Sequence, residues 1–420
     1  MSREFVPAVF RSAPVRSWAT TLLAAGALLL IAAGGSFAGE VVRVVIVVST
    51  AALVVALAAT TGRWAGAGIA AFGVGGVALG IGVGVRFTVA GELWWRGLVG
   101  LVVLGAGLVL IVAGLRAMVV GLARSKRVVV RLVAVPAALA VLWVVLPGVL
   151  ATNVPPTALG AERPADFGLT AETVEYPAAD GTRLAAWYVP SRNGAAVVLR
   201  HGAGSTRTSV LPQAAVLAEH GYGVLLADAR GHGLSEGNAM DFGWNGDSDI
   251  AAAVSFLAER PEVDPARIGV VGMSMGGEEA IGSAAADGRI AAVVAEGATG
   301  RVAADRAWLD DAHGWRGRLQ QGVEWLQSAV TDLLSDAPRP GSLATSVRAA
   351  TDCRFLLIAG GTVQDEADSA AYLRSVAPYR VTVWVVPNAG HTAGLATDPA
   401  GWEAQVVGFL DVALAATPVP

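Results

Sequence analysis

The pattern Gly-x-Ser-x-Gly occurs twice in the sequence, at Gly272–Gly276 (GMSMG) and at Gly233–Gly237 (GLSEG). Because 52 of the 420 residues are glycine, the pattern alone carries little weight, but its surroundings separate the two copies. Ser274 directly follows the apolar run Ile268–Gly272 and precedes a helix-like stretch. A sharp turn between a strand and a helix exposes a nucleophilic serine oxygen. Ser235 has no helix-like stretch after it, so Ser274 is the predicted nucleophile.

A serine hydroxyl is a weak nucleophile unless a base takes its proton. When the serine sits at such a strand–helix turn, the acid and then the histidine follow it along the chain. Of the five histidines, His391 is the one on the loop after the last strand-like run. The others lie at a strand end, a helix end, in a loop and in a segment that breaks the strand–helix rhythm: His201, His220, His232 and His313. His391 is therefore the predicted base.

The carboxylate that orients this base should follow the preceding strand, Phe355–Ala359. The segment after it, GGTVQDEAD, offers three acidic side chains. Asp368 falls inside the next helix-like stretch. Asp365 is the predicted partner of His391, with Glu366 as the alternative, because adjacent residues of a loop cannot be ranked without a backbone.

Acyl transfer also needs two backbone N–H donors for the negative charge that develops on the carbonyl oxygen. One is expected from Met275, the residue after the nucleophile. The other is expected from the glycine-rich loop His201–Gly204 (HGAG), with Ala203 as the predicted donor and Gly204 as the alternative.

Short apolar runs alternate with amphipathic stretches through the second half of the chain, which predicts a mostly parallel sheet with helices on both faces. The predicted strands are Ala195–Arg200, Gly223–Ala227, Ile268–Gly272, Ile290–Ala295, Phe355–Ala359 and Val381–Val386. An antiparallel hairpin, Glu172–Tyr176 with Leu184–Val189, is expected ahead of them.

The motifs HGAG, DARGHGLSEG, GMSMGG and NAGH, in this order and spacing, resemble those of the dienelactone-hydrolase and prolyl-oligopeptidase-like branches of the α/β-hydrolases. The resemblance covers about residues 166–415. It implies a Ser-acid-His hydrolase of esters, thioesters or amides that needs no cofactor. The acid segment departs from the family's usual G-x-x-D pattern.

The resemblance also implies a helical lid at about residues 303–338, a segment that interrupts the strand–helix alternation. Three tryptophans of this segment could line an apolar acyl pocket, or could pack the lid onto the core or onto a bilayer: Trp308, Trp315 and Trp325.

Charge divides the chain into unlike halves. Residues 1–160 carry 12 basic and 3 acidic side chains, whereas residues 161–420 carry 18 basic and 31 acidic side chains. The acidic half argues against nucleic-acid binding, which needs a clustered basic face. The single cysteine, Cys353, excludes an internal disulfide and any metal site built from several cysteines, and no metal site is predicted.

The first half contains five uncharged stretches, each long enough to cover a bilayer-spanning helix. They are Ser17–Gly39, Val44–Gly62, Trp64–Val85, Gly97–Leu115 and Leu132–Ala161. The sequence thus predicts an all-α transmembrane bundle of about five helices (1–152), a linker (153–165) and an α/β-hydrolase domain (166–420). No span carries an acid or a histidine at its centre, so transport is a poor hypothesis.

With a cytoplasmic N-terminus, nine Lys and Arg side chains fall on the cytoplasmic side of the bundle, and three fall on the other side: Arg43, Arg86 and Arg96. This bias predicts a multi-pass protein of the cell membrane whose hydrolase domain is extracytoplasmic. Small residues at four-residue intervals, Gly76, Gly80 and Gly84, could form a homodimer face or could pack against another span of the same chain.

Two functions from different classes follow. The first is a membrane-anchored serine hydrolase, and the second is a catalytically silent hydrolase fold that serves the membrane bundle as a binding or scaffold module. The complete set of predicted site residues favours the first, since a silent module has no physical need to keep them.

Overall fold

The computed structural model describes residues 13–31, 63–91 and 94–415 of the chain. These residues form two compact units. The helical unit contains the residues up to Pro155 together with Leu326–Asp336, and the sheet unit contains Pro156–Trp325 and the residues from Ala337 onward. The change of unit at Pro155 falls inside the segment predicted as a linker.

The helical unit is built from apolar helices. Their bounds are α1 (Ala13–Ile31), α2 (Arg63–Leu79), α3 (Arg86–Ala90), α4 (Trp94–Val119) and α5 (Arg124–Thr152), and a π-helical segment, Gly80–Val85, joins α2 to α3. Three helices of the described residues are long and apolar enough to cross a membrane: Trp64–Ala90, Trp95–Val119 and Arg124–Thr152. A shorter apolar part of α1, Trp18–Ala27, lies within the first predicted span. The predicted span Val44–Gly62 lies outside the described residues.

Glycines bring α2 and α4 into backbone contact. A Cβ atom added to Gly73 would lie 2.7 Å from the carbonyl oxygen of Gly107, and one added to Gly66 would lie 2.8 Å from that of Gly114. No side chain larger than hydrogen fits at these positions, so the two helices approach as closely as small residues allow.

The predicted homodimer face belongs to this packing within the chain. A Cβ atom would lie 2.7 Å from Leu22 if added to Gly76, 2.5 Å from Leu104 if added to Gly80, and 2.6 Å from Gly100 if added to Gly84. Helices α1 and α4 of the same chain therefore pack against this face, as expected if it serves packing within the chain.

The sheet unit alternates strands and helices. The strands are β1 (Glu172–Pro177), β2 (Arg183–Val189), β3 (Ala196–Arg200), β4 (Gly223–Ala227), β5 (Ile268–Met273), β6 (Ile290–Glu296), β7 (Arg354–Gly360) and β8 (Val381–Val386). The helices are α6 (Leu211–Glu219), α7 (Gly246–Ala258), α8 (Met275–Ala286), α9 (Leu309–His313), α10 (Trp315–Leu334), α11 (Leu343–Ala349), α12 (Gln364–Val376), α13 (Gly394–Thr397) and α14 (Pro399–Ala413).

The eight strands form one sheet in the order β1-β2-β4-β3-β5-β6-β7-β8. Strand β2 pairs antiparallel with β1 and β4, and every other pairing is parallel. The predicted strands and hairpin are confirmed to within one residue at each end. The strand order reverses between β3 and β5, and in open parallel sheets ligands bind beyond the carboxyl ends of the strands at such a point.

One apolar core lies on each face of the sheet, because successive strand residues point to opposite faces. Val198 of β3 packs with α7, α8, α11 and α12, whereas its neighbours Val197 and Leu199 pack with α6 and α14. With both faces covered, the strands read as continuous apolar runs.

The segment predicted as a lid is divided between the two units. Its long helix α10 is divided between the units after Trp325. Within the helical unit, a Cβ atom on Gly148 would lie 2.8 Å from Val330, which shows that the end of α10 packs closely against α5. Trp308 is buried, whereas Trp315 and Trp325 are exposed and do not line an interior pocket.

A proline explains a second contact of α10 in the helical unit. Pro147 lies inside α5 and has no N–H, so the carbonyl oxygen of Trp143, four residues earlier, lacks its helical donor. The side-chain amide of Gln327 donates to that oxygen at 3.0 Å.

Candidate active site

Ser274 lies at the turn between β5 and α8, in a backbone conformation that non-glycine residues rarely adopt (φ 53°, ψ −120°). Its N–H donates to the carbonyl oxygen of Glu296 at 2.7 Å, and its own carbonyl accepts from Gly277 and Glu278 at 2.9 and 3.1 Å. These hydrogen bonds hold the strained turn in place.

Two glycines make this turn possible. A Cβ atom on Gly272 would lie 2.1 Å from the carbonyl oxygen of Gly276, and one on Gly276 would lie 2.6 Å from that of His201. Strand, turn and helix therefore approach too closely for any side chain at either position. This is the geometry that the Gly-x-Ser-x-Gly pattern predicts at Ser274.

Three side chains from separate segments of the chain meet at the turn. Nε2 of His391 lies 2.9 Å from Oγ of Ser274, and Nδ1 of His391 lies 2.6 Å from Oε1 of Glu366. The ring packs against Gly297, where an added Cβ atom would lie 3.0 Å from Nδ1. The structure thus brings the predicted nucleophile and base into hydrogen-bond contact.

The carboxylate that meets His391 is the alternative, Glu366, and the preference for Asp365 was wrong. Glu366 is 1% exposed, and its second oxygen accepts the N–H of Gly360 at 2.8 Å. The Asp365 side chain is 56% exposed and lies 3.6 Å from Arg306. Both acids lie in the first turn of α12, where consecutive side chains point about 100° apart, so only one can face the sheet.

The electrostatic surroundings favour a charged imidazole at His391. The hydrogen bond to Glu366 is the largest effect and raises the pKa of His391 above its usual value, although partial burial opposes it. An imidazole held in this way can take a proton from Ser274 and be stabilised as the imidazolium.

The loop after β3 passes beside the nucleophile. A Cβ atom on Gly202 would lie 3.2 Å from Cβ of Ser274. The N–H of Gly204, the alternative oxyanion donor, donates to Nε2 of His232 at 3.3 Å. In the part of the chain that the structure describes, the N–H groups of Ala203 and Met275 donate to no protein acceptor, as expected of groups kept for a ligand.

Two buried histidines hold this loop, a role that the sequence interpretation missed. Nδ1 of His201 donates to the carbonyl oxygen of Gly202 at 2.8 Å, while its Nε2 accepts the N–H of Ala229 at 2.9 Å. Nδ1 of His232 donates to the carbonyl oxygen of Arg230 at 2.8 Å. These bonds need neutral rings, and burial lowers the pKa of both histidines. The sequence signal that could have revealed this role is the position of His201 in the motif HGAG and of His232 in the motif DARGHG.

The second Gly-x-Ser-x-Gly copy has a structural role. Oγ of Ser235 donates to the carbonyl oxygen of Asp228 at 2.9 Å and accepts the N–H of Ala185 at the same distance. Its hydroxyl is fully used in tying the loop after β4 to β2.

Comparison with known proteins identifies similar sequences in this unit. Residues 191–346 match the family model of serine aminopeptidase, S33. The chain is 33% identical over 114 residues to the uncharacterized protein YfhR of Escherichia coli, covering 26% of this chain and 39% of that protein. It is 37% identical over 132 residues to the thiohydrolase aneE of Aspergillus aculeatus, covering 30% of this chain and 41% of that protein.

The chain therefore spans about two fifths of the length of the curated relatives it matches. Among solved structures, the Pyrococcus furiosus esterase Pf2001 is 26% identical with a TM-score of 0.49, over 62% of this chain and 98% of that one.

The family match falls on the strands and loops that carry Ser274 and the loop beside it. A mostly parallel sheet with a serine at the β5–α8 turn is the arrangement of the α/β-hydrolases. The sheet unit of this chain therefore has the α/β-hydrolase fold.

Proposed function

We propose that the chain is a membrane-anchored serine hydrolase that cleaves an ester, thioester or amide through an acyl-enzyme intermediate. The observation that carries this proposal is the unbroken hydrogen-bond chain from Oγ of Ser274 through His391 to Glu366. A strained serine at a strand–helix turn, a base and a buried acid are the parts that nucleophilic acyl transfer requires.

In the proposed reaction, Oγ of Ser274 attacks the substrate carbonyl carbon while its proton passes to Nε2 of His391. The N–H groups of Ala203 and Met275 bind the oxyanion of the tetrahedral intermediate. The intermediate collapses when His391 returns the proton to the leaving alcohol, thiol or amine. Water then cleaves the acyl-enzyme with His391 acting again as the base, and Glu366 stabilises the imidazolium in both halves.

The names of similar proteins support the proposal that the cleaved bond is one of several acyl bond types. The matching family is described as serine aminopeptidase, and one relative as a thiohydrolase. Amide and thioester bonds are therefore among the candidates, together with the ester bonds that the resemblance implies. The scaffold alternative has weaker support, because a silent module gains nothing from the strained conformation of Ser274.

Membrane anchoring is part of the proposal. It is supported by three helices of the described residues that are long and apolar enough to span a bilayer. With five spans and the observed distribution of basic residues, the hydrolase domain would face the extracytoplasmic side.

A fluorophosphonate probe tests the proposed function on the full chain in membranes. Wild type should be labelled and Ser274→Ala should not. Ser235→Ala is the control and should be labelled, because Ser235 lies in the same sequence pattern as Ser274 but away from the base. Labelling of Ser274→Ala, or an unlabelled wild type, would disprove the proposed nucleophile.

A further inference from the structure

A second buried carboxylate lies next to the proposed triad. Glu296 is the last residue of β6 and is 1% exposed. Its Oε1 accepts the N–H of Gly394 at 2.7 Å, and its Oε2 accepts the indole N–H of Trp402 at 3.0 Å. Among the described residues, no cationic side chain forms an ion pair with Glu296. Burying a carboxylate in such a setting is costly, and burial raises the pKa of this carboxyl. Such a group calls for a reason beyond packing.

The same residue contacts both loops that carry reacting groups. Its backbone carbonyl accepts the N–H of Ser274 at 2.7 Å, while its side chain binds Gly394, three residues after His391. Glu296 therefore fixes the distance between nucleophile and base from the end of one strand.

An ionised carboxylate satisfies both contacts. Each of its two oxygens accepts one N–H, whereas a glutamine has one acceptor oxygen and an NH₂ group that can only donate. In Glu296→Gln, either the amide of Gly394 or the indole of Trp402 would face another donor.

We propose that Glu296 is a positioning residue of the hydrolase reaction, which holds the His391 loop against Ser274 and keeps a second negative charge close to the imidazolium. This inference rests on the proposed function. The carboxylates that act on His391 are Glu366, Glu278 and Glu296, and each favours its charged form. Glu366 orients the ring by direct contact, whereas Glu296 acts through the loop and through its charge.

The test is the pH profile of p-nitrophenyl acetate hydrolysis by the full chain. Because His391 must be neutral to accept a proton, activity falls as pH falls through its pKa. Removing a nearby negative charge lowers that pKa, so in Glu296→Gln the acid limb of kcat/KM should move to lower pH by about half a unit. We also expect kcat to fall by at least about 10-fold with little change in KM, because the base is misplaced.

A double variant separates charge from geometry and guards against misfolding of the single variant. In Glu296→Gln with Trp402→Phe, no indole donor faces the NH₂ group, so the oxygen can still accept from Gly394. Here kcat should recover toward that of Trp402→Phe alone, while the acid limb stays shifted. The matched control is Glu403→Gln, an exposed carboxylate next to Trp402 that binds His220 and should leave both quantities unchanged.

The inference would be overturned if an active variant without the Glu296 charge kept the acid limb at the wild-type pH. It would also be overturned if Glu296→Gln kept the full wild-type kcat. Failure of the proposed function gives a different pattern, since the fluorophosphonate probe would then leave wild type unlabelled.

Discussion

At the scale of single residues, the choice between two adjacent acids is a direct test of the site. We expect Glu366→Gln to lower kcat/KM by about 10³- to 10⁴-fold, because the base loses the partner that fixes its tautomer. Asp365→Asn should change it less than about 3-fold, since an exposed ion pair contributes little. Steady-state kinetics on a p-nitrophenyl ester measure both variants, and a larger loss in Asp365→Asn would return the role to that residue.

The two structural histidines should make stability depend on pH. In the unfolded chain His201 and His232 take up protons near their ordinary pKa, about 6.5, whereas burial holds their folded pKa values lower. The unfolded state then binds more protons, so their contribution to stability is present above about pH 6.5 and is lost as pH falls below it.

Thermal unfolding midpoints recorded between pH 5 and 7.5 would reveal this contribution. The double variant His201→Gln with His232→Gln can accept an N–H but cannot titrate, so its midpoint should vary less with pH than that of wild type. Wild type recorded in parallel is the reference, and the double variant must be folded at pH 7.5 for the comparison to hold. A steep slope in the double variant would assign the pH dependence to other groups.

At the scale of elements, the turn between β5 and α8 depends on the absence of side chains. In Gly272→Ala the new Cβ atom would meet a backbone oxygen, which cannot move without shifting Ser274. A displacement of about 1 Å at the nucleophile is enough to lower activity about 100-fold. Gly288→Ala is the control, because an added Cβ atom there meets open space and should leave the rate of probe labelling unchanged. Equal labelling of both variants would refute the steric argument.

Helices α5 and α10 are joined by a side-chain amide that replaces a missing backbone donor. Gln327→Leu should cost about 0.5–1.5 kcal/mol, because it removes the hydrogen bond to the carbonyl oxygen of Trp143. In a Pro147→Ala background the new N–H can reach that oxygen, so the same substitution should cost much less. The coupling is measured from the free energies of unfolding in detergent of wild type, Gln327→Leu, Pro147→Ala and the double variant. Additive effects would show that the Gln327 amide does not replace the missing N–H of Pro147.

The elements also show how far sequence reasoning reaches. Strand runs such as Gly223–Ala227 are predicted because burial on both faces leaves a continuous apolar segment between polar loops. Asp365 and Glu366 could not be separated, because the helix starts one residue before them and only the backbone decides which one faces inward. Likewise, nothing in the sequence of α10 marks Trp325 as the point where the helix passes from one unit to the other.

At the scale of the whole molecule, the proposed orientation in the membrane depends on where α5 ends. In the helical unit, Arg86 donates to the carbonyl oxygen of Leu150 at 2.6 Å, and Arg96 lies 3.5 Å from the side-chain oxygen of Asn153. Cations at a helix C-terminus stabilise its free carbonyl groups. Two of the three basic residues counted on the outer side therefore have a structural reason to be there, which strengthens the nine-to-three bias as a signal of orientation.

This orientation predicts which face of the membrane exposes the hydrolase domain. Added to intact spheroplasts, a protease should digest the domain beyond Pro155, while in inverted vesicles the domain should be protected until detergent is added. The physical reason is that α5 begins at the basic segment Arg124–Arg131, which is expected to stay cytoplasmic, so that its other end would lie at the outer surface. A cytoplasmic marker protein must survive in the spheroplasts as the control. The opposite pattern of protection would mean an even number of spans, and substrates would then have to be sought in the cytoplasm.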